Sequence, residues 1–108
     1  MTDTVKLYEV LVPASFWVTK TKFSYEHHKE WDAFVVGIAG GLTVLKGAKG
    51  TWISPSNVAH YDRVIPCRVA CTRAQLEEII DFTLTHYDQE AVMAYVVSEE
   101  VIVKHKDT

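Results

Sequence analysis

The 108-residue sequence predicts an α+β fold in which two helices pack on one face of an antiparallel sheet. Two apolar stripes with helical spacing alternate with short β-branched runs, in the order β-α-β-β-β-α-β, with a further short strand as an option at the end. This is the order of the ferredoxin-like split βαβ plan with a hairpin inserted at its middle. With 48% hydrophobic and 23% charged residues, the composition is that of one globular domain, here residues 1–108.

The first predicted strand covers Val5–Val12 and stops at a proline. An irregular stretch over residues 14–23 follows, and Ser24 is the expected N-cap of the first helix. A stripe at i, i+3, i+4 and i+7 marks the buried face of that helix, and its members are Trp31, Phe34, Val35 and Ile38. Glycines between residues 37 and 41 predict where the helix ends.

Residues 42–46 and 51–54 are two short strand candidates, and the intervening GAKG predicts a hairpin loop between them. A turn-rich loop is expected over residues 55–61. The next predicted strand is Val64–Cys71, VIPCRVAC. Pro66 cannot donate to a sheet ladder, so we expect it at an edge position or a bulge.

Thr72 and Gln75 form a predicted capping box, which places the start of the second helix there. Its inward stripe consists of Leu76, Ile79, Ile80, Thr83 and Tyr87. The run AVMAYVV over residues 91–97 predicts a final central strand, and residues 101–103 are candidates for a short edge strand.

Several classes of protein are disfavoured by composition. A net charge of −3 argues against a nucleic-acid binder, which needs a basic field. No run approaches the roughly 20 apolar residues of a membrane span, and no leader segment is evident. Cys67 and Cys71, four residues apart on one strand, would be roughly 13 Å apart and cannot form a disulfide within it. We therefore expect buried free thiols and a cytoplasmic location.

The last predicted strand is apolar on both of its faces. If both helices cover one face of the sheet, a monomer would present polar residues on the other face. Because AVMAYVV does not do so, something must cover the second face, and another copy of the same chain is the expected cover. The sequence therefore predicts a homo-oligomer.

A candidate ligand site lies in the segment His60-Tyr61-Asp62, which follows a hairpin containing Trp52. A carboxylate with aromatic side chains suits a cationic organic ligand. Asp62 would supply the charge, Tyr61 or Trp52 an aromatic wall and His60 a polar rim. Asp62 is also the one candidate for a catalytic role. The alternative is an ordinary solvated turn.

No metal or cofactor is predicted. His28 and Asp32 share a helix face at i, i+4, which is a metal-ligand spacing, but no third ligand is specified. His27 lies on the apolar stripe and is expected to be a packed histidine. The glycine-rich Gly37–Gly41 follows a helix rather than opening one, so it lacks the geometry of a phosphate-binding loop.

Residues 87–95, YDQEAVMAY, resemble the helix-to-strand junction of the phage S-adenosylmethionine lyases, long called hydrolases. RVAC at 68–71 with the following Ala-Gln at 74–75 is similar to their preceding strand and helix start, and residues 8–16 resemble their first strand. The segment GGLTVLKGAKGTWISP at 40–55 also looks like a bacterial domain family of unknown function.

The lyase resemblance implies a trimer that binds S-adenosylmethionine between subunits and releases methylthioadenosine and homoserine lactone without a metal or cofactor. Those enzymes carry glutamates just before the strand equivalent to Val64–Cys71, where this chain has only Asp62. Two functions therefore remain open. The favoured one is a non-catalytic module that binds a small molecule, of adenosine type on this resemblance, or a protein partner. The alternative is a lyase-like enzyme.

Overall fold

The computed structural model describes residues 4–16 and 19–106. The elements are β1 (Lys6–Pro13), α1 (Tyr25–Ala39), β2 (Thr43–Val44), β3 (Ala48–Ile53), β4 (Ala59–Cys71), α2 (Arg73–His86) and β5 (Ala94–Ser98). The main sheet order is β2-β4-β1-β5, and β1 is antiparallel to both of its neighbours. The predicted ferredoxin-like α+β class is confirmed.

The core lies between the helices and one face of the sheet. Alternate residues of the two central strands point into it, and Val10, Cys67 and Val69 are all 2% exposed or less. The helices contribute Trp31 and Ile79, both 1% exposed or less. The predicted helical stripes are thus the buried faces, because residues at i, i+3 and i+4 share one side of a helix.

Local capping signals in the sequence are realised in the structure. Ser24 accepts from the backbone N–H of His27, and Thr72 and Gln75 form the reciprocal capping box. Gly40 ends α1 with φ +83°, the left-handed conformation that glycine adopts at least cost. The Gln75 side chain also donates to the carbonyl of Ile38 and so ties the start of α2 to the end of α1.

The predicted hairpin around GAKG is wrong. Instead β3 pairs with the first half of β4, from Ala48 opposite Val64 to Ile53 opposite Ala59. The turn between them covers only residues 54–58, so residues 59–61, expected in a loop, belong to a strand. The physical reason is the length of β4: its 13 residues provide one edge on which β3 and β2 pair in succession. The hairpin of residues 48–63 is called the arm below.

Three smaller predictions, on Pro66, on the start of the last strand and on residues 101–103, differ from the structure. Pro66 lies within β4, and its carbonyl accepts from the N–H of Leu45 on the edge that β2 and β3 share. The expected edge-strand position is wrong, because β4 is a central strand and, on its β1 side, Pro66 is opposite Leu11 in an unshifted register. The last strand begins at Ala94 rather than at residue 91, and residues 101–103 form no strand.

Both cysteines are free and buried, as predicted, and they lie on the helix side of β4. Burial raises the pKa of Cys67 to about 12 and that of Cys71 to about 11, so both stay protonated and behave as small apolar side chains. Among the described residues, neither helix is long and apolar enough to cross a membrane.

Candidate functional site

The sheet face turned away from the helices, here called the open face, carries apolar side chains that the single chain covers only in part. On β1 and β4 these side chains are partly exposed, and they are Leu7, Leu11, Val64, Pro66 and Ala70. Met93 and Tyr95 beside them are 63% and 43% exposed. An apolar second face, inferred from the last strand, is therefore present and extends across the two central strands.

A polar trio lies in the middle of the open face. The Glu9 carboxylate is 7% exposed, and its Oε1 lies 3.0 Å from Nε of Arg68 on the neighbouring strand. Its other oxygen accepts a hydrogen bond from the hydroxyl of Tyr95 on the opposite side. The hydrogen bond from Tyr95 has the largest effect on the pKa of Glu9 and lowers it. Burial acts in the opposite direction, but Arg68 also lowers the pKa, and the net result is a value below the usual one.

Sequence reasoning missed this trio as a site. One signal was available: Arg68 is the single charged residue of VIPCRVAC, and Glu9 interrupts the apolar run of VKLYEVLV. What the sequence did not contain is the register that places Glu9 opposite both Arg68 and Tyr95. Charged residues opposite each other in an antiparallel pair stabilise it when their signs differ.

Three of the four predicted site residues form one cluster on the arm. Trp52 and His60 face each other across the two strands, with their rings stacked at 4.3 Å and 14°. The indole N–H of Trp52 donates to Oδ2 of Asp62 at 2.7 Å, and Nζ of Lys20 lies 4.0 Å from Oδ1. Alternation along β4 puts His60 and Asp62 on the same side as Arg68, so the cluster extends the open face.

The fourth predicted residue, Tyr61, lies on the other side of the arm, because successive strand residues point to opposite faces. It is 70% exposed and opposite Thr51. The aromatic wall beside Asp62 is therefore Trp52 and not Tyr61. An aromatic stack with a carboxylate at its edge can hold a planar or cationic group, but within residues 4–16 and 19–106 the cluster is a surface without a second wall, and Trp52 is 47% exposed.

The histidines of α1 are packing residues in the structure. Nδ1 of His28 lies 2.7 Å from the Tyr87 hydroxyl, and the ring of His27 stacks on that of His86 at 3.8 Å. Burial, followed by the charge of His27, lowers the pKa of His28, which Asp32 partly opposes. Residues 4–16 and 19–106 contain no cluster of three or more ligand side chains fit for a metal ion.

Comparisons with known proteins identify the fold. No protein-family profile matches the chain, and no curated protein matches it in sequence. A phage SAM lyase in complex with S-methyl-5'-thioadenosine superposes with a TM-score of 0.68 at 10% identity, covering 92% of this chain and 84% of that one. CutA1 of the psychrotrophic bacterium Shewanella sp. SIB1 gives 0.65 at 10% identity, with 97% and 88% covered.

The divalent cation tolerance protein CutA1 of Thermus thermophilus gives 0.63 at 10% identity, with 94% of this chain and 87% of that one covered. The structural likeness to a phage lyase agrees with the resemblance read from residues 87–95. The likeness to CutA1 proteins had no counterpart in the sequence reading. At such low identities both show a shared ferredoxin-like fold.

Proposed function

We propose that this chain is a homo-oligomeric small-molecule-binding module, in which the open face is the subunit interface and the ligand site lies at its edge on the arm. The observation that carries this proposal is the open face itself. Its half-covered apolar residues surround a carboxylate that is only 7% exposed and already paired with Arg68 and Tyr95. A polar group satisfied in this way can be buried by a partner without a large desolvation cost.

A second copy is the occupant that fits this face best. Among the described strands, the sheet ends at β5 on one side and at β2 and β3, which pair in succession with β4, on the other. A contact that joins these two different edges is head-to-tail, and it forms a ring where the rotation between subunits closes; closure after three subunits would give the trimer implied by the lyase resemblance. The arm supports the same conclusion, since a two-stranded hairpin with both faces exposed is marginally stable without a neighbour.

Within such an assembly the cluster of Trp52, His60 and Asp62 gains a second wall from the neighbouring subunit. The stacked rings would contact a planar group, and the Asp62 carboxylate would face a positive charge. An adenosine-type ligand fits the first requirement, and S-adenosylmethionine, with its sulfonium, fits both. The buried free thiols suit a reducing compartment, so we place the assembly in the cytoplasm.

The oligomer is tested by light scattering at micromolar concentration. Met93 lies on the open face at 63% exposure, whereas Val92 packs against the core, so the structure selects Met93 for the test. Met93→Glu is expected to yield monomers, because an unpaired carboxylate in an apolar interface is costly. Val36→Glu, a similar change at a 46% exposed position on α1, is the matched control and should leave the assembly intact. A monomeric parent protein would contradict the proposal.

The ligand site is tested by titrating S-adenosylmethionine and methylthioadenosine into the parent protein and Asp62→Asn. The substitution keeps an oxygen acceptor for the Trp52 indole and removes only the charge. We expect affinity for the sulfonium ligand to fall about tenfold, equivalent to about 1.4 kcal/mol, with a smaller change for the neutral ligand. Asp81→Asn on the exposed side of α2 is the control. Unchanged affinities for both ligands, or no binding by the parent protein, would remove Asp62 from the site, and equal losses for both would show that its charge does not select the sulfonium.

The second candidate function is a lyase on the same scaffold, favoured by the fold match to a phage SAM lyase that holds S-methyl-5'-thioadenosine. In that reaction the substrate's own carboxylate oxygen attacks its γ carbon and closes the lactone ring. The bond between the γ carbon and sulfur breaks, and its electron pair leaves with sulfur as methylthioadenosine. The protein's part is orientation and stabilisation of charge. Incubation with S-adenosylmethionine followed by chromatography for methylthioadenosine and homoserine lactone decides between the two. Binding without product supports the non-catalytic module.

A further inference from the structure

A cavity lies on the opposite side of the arm from the Trp52–His60 stack. It has a volume of about 270 Å³ and lies between the arm and the connection from β1 to α1. Its lining, called the basic cleft below, comprises Ala14, Ser15, Lys20, Lys22, Tyr61 and Arg63. Half of these residues carry a positive charge, in a chain whose net charge is −3.

The charges of the basic cleft are poorly compensated by the protein. Lys20 is shared, since its Nζ donates to the Tyr61 carbonyl at 3.3 Å and lies 4.0 Å from Asp62. For Lys22 and Arg63, no carboxylate within the described part of the chain lies close enough for an ion pair. Each of these two cations is therefore available to an anion from outside.

A fourth cation, Lys49, adds charge repulsion beside the basic cleft when no anion is bound. Lys49 on β3 is the direct cross-strand partner of Arg63, so the two side chains emerge on the same side of the arm. Like charges placed directly opposite each other destabilise an antiparallel pair. An anion bound at Arg63 would offset this repulsion, and Arg63 can engage a phosphate through two parallel N–H donors.

The remaining wall of the cleft is aromatic. The ring of Tyr61 is 70% exposed and stands among the cations rather than in a hydrophobic cluster. An exposed ring next to phosphate-binding cations is the combination that holds a base by stacking and its phosphates by charge. The size of the cavity suits part of a small molecule rather than a polymer.

We propose that the basic cleft binds a nucleoside phosphate, with the phosphates between Lys22 and Arg63 and the base against Tyr61. This site lies on the opposite side of the arm from the one with Asp62, and Lys20, which lines the cleft and lies 4.0 Å from Asp62, is near both. The two sites differ in charge, so they select different ligands. The face with Asp62 favours a cation, and the face with Arg63 favours a polyanion.

The test is isothermal titration calorimetry, with ATP, tripolyphosphate and adenosine titrated in turn into the 108-residue chain. ATP is expected to bind more tightly than either of the other two, and its affinity is expected to weaken as salt rises from about 50 to about 200 mM. Arg63→Gln and Lys22→Gln should each reduce ATP affinity about tenfold, and Tyr61→Leu should reduce it by a smaller factor and bring it toward that of tripolyphosphate. All three positions are exposed, so the variants are expected to fold, and a thermal melt checks this.

Lys29→Gln is the matched control. Lys29 is also an exposed cation beside a tyrosine, 5.3 Å from the ring of Tyr25, but it lies on α1 outside the basic cleft. This variant should bind ATP as the parent does. An equal loss in the control would show attraction by general charge and overturn the proposal. Absence of ATP binding by the parent, or equal affinities for ATP and tripolyphosphate, would overturn it as well.

Discussion

The two faces of the sheet are built by the same strands but are covered in different ways. On the helix side Val10 and Cys67 are 0% and 2% exposed beneath α1 and α2. One residue further along each strand, Leu11 and Arg68 point to the open face and remain partly exposed. Because side chains alternate along a strand, a strand that is apolar on both faces needs a cover on each. This chain provides helices for only one.

The largest expected effect contrasts a core truncation with an open-face truncation. Ile79→Ala, at a fully buried position on α2, should lower the free energy of unfolding by about 2–5 kcal/mol at every protein concentration. Leu11→Ala on the open face should cost more in concentrated than in dilute solution, because its packing exists only in the associated protein. Denaturant titrations at two concentrations measure both. A concentration-independent loss for Leu11→Ala would mean that the open face stays uncovered.

The next effect concerns the polar trio that sets the open face apart. Glu9→Leu leaves the Arg68 guanidinium, 40% exposed, without its charged partner and should destabilise by about 1.5–3 kcal/mol. The double variant Glu9→Leu/Arg68→Met removes both charges and should recover most of that loss. A double variant as unstable as the sum of the single changes would show that the ion pair is not the relevant interaction. Chemical denaturation provides the values.

A pH effect is expected on the helix side. Since the pKa of His28 is lowered in the folded protein, the unfolded chain binds more protons near pH 6. The stability that neutral His28 contributes to the folded protein is therefore present above the unfolded pKa of about 6.5. It is lost as the pH falls through the lower pKa of the folded state. His28→Gln should flatten this part of the stability–pH profile, and His105→Gln in the exposed terminal segment should not. An unchanged profile in His28→Gln would contradict the assignment.

The smallest effect is expected on the arm, which belongs to neither packed layer. Asp62→Asn keeps the indole hydrogen bond and loses only a 4.0 Å ion pair with Lys20, whose side chain is 62% exposed. We expect a change in the free energy of unfolding within about 0.5 kcal/mol. A loss of several kcal/mol would show that the arm contributes to the cooperative core rather than to a binding surface. Thermal melts of the two proteins give this comparison.

Most of the local structure could be predicted from the sequence, because local signals depend on near neighbours. Ser24, Gly40 and the Thr72–Gln75 box each specify a helix end through one or two backbone groups within a few residues. The hairpin was predicted around the wrong turn for the complementary reason. GAKG has the residues of a turn, but strand pairing was decided by the length of β4, which only the assembled sheet reveals.

The candidate sites follow the same division. The sequence predicts one site from Asp62, Tyr61 and His60 because they are adjacent in the chain. Adjacent residues of a strand point to opposite faces, so Tyr61 lines the basic cleft and lies apart from Asp62 and His60. The residues that do meet, Trp52 with His60 and Asp62, are 8 and 10 positions apart and meet through cross-strand register. A hairpin around GAKG does not pair β3 with β4, so the sequence-based prediction does not contain this register.

The sequence by itself determined the α+β class, both helices with their caps, the buried thiols and the excess of apolar residues on the last strand, because each depends on composition or on spacing along the chain. Only the tertiary structure decided that Glu9, Arg68 and Tyr95 form one network, and that the two sides of the arm carry opposite chemistry. Those features depend on which residues stand opposite each other across strands up to 86 positions apart in the chain. Such contacts arise from the pairing of whole strands, which no short stretch of sequence specifies.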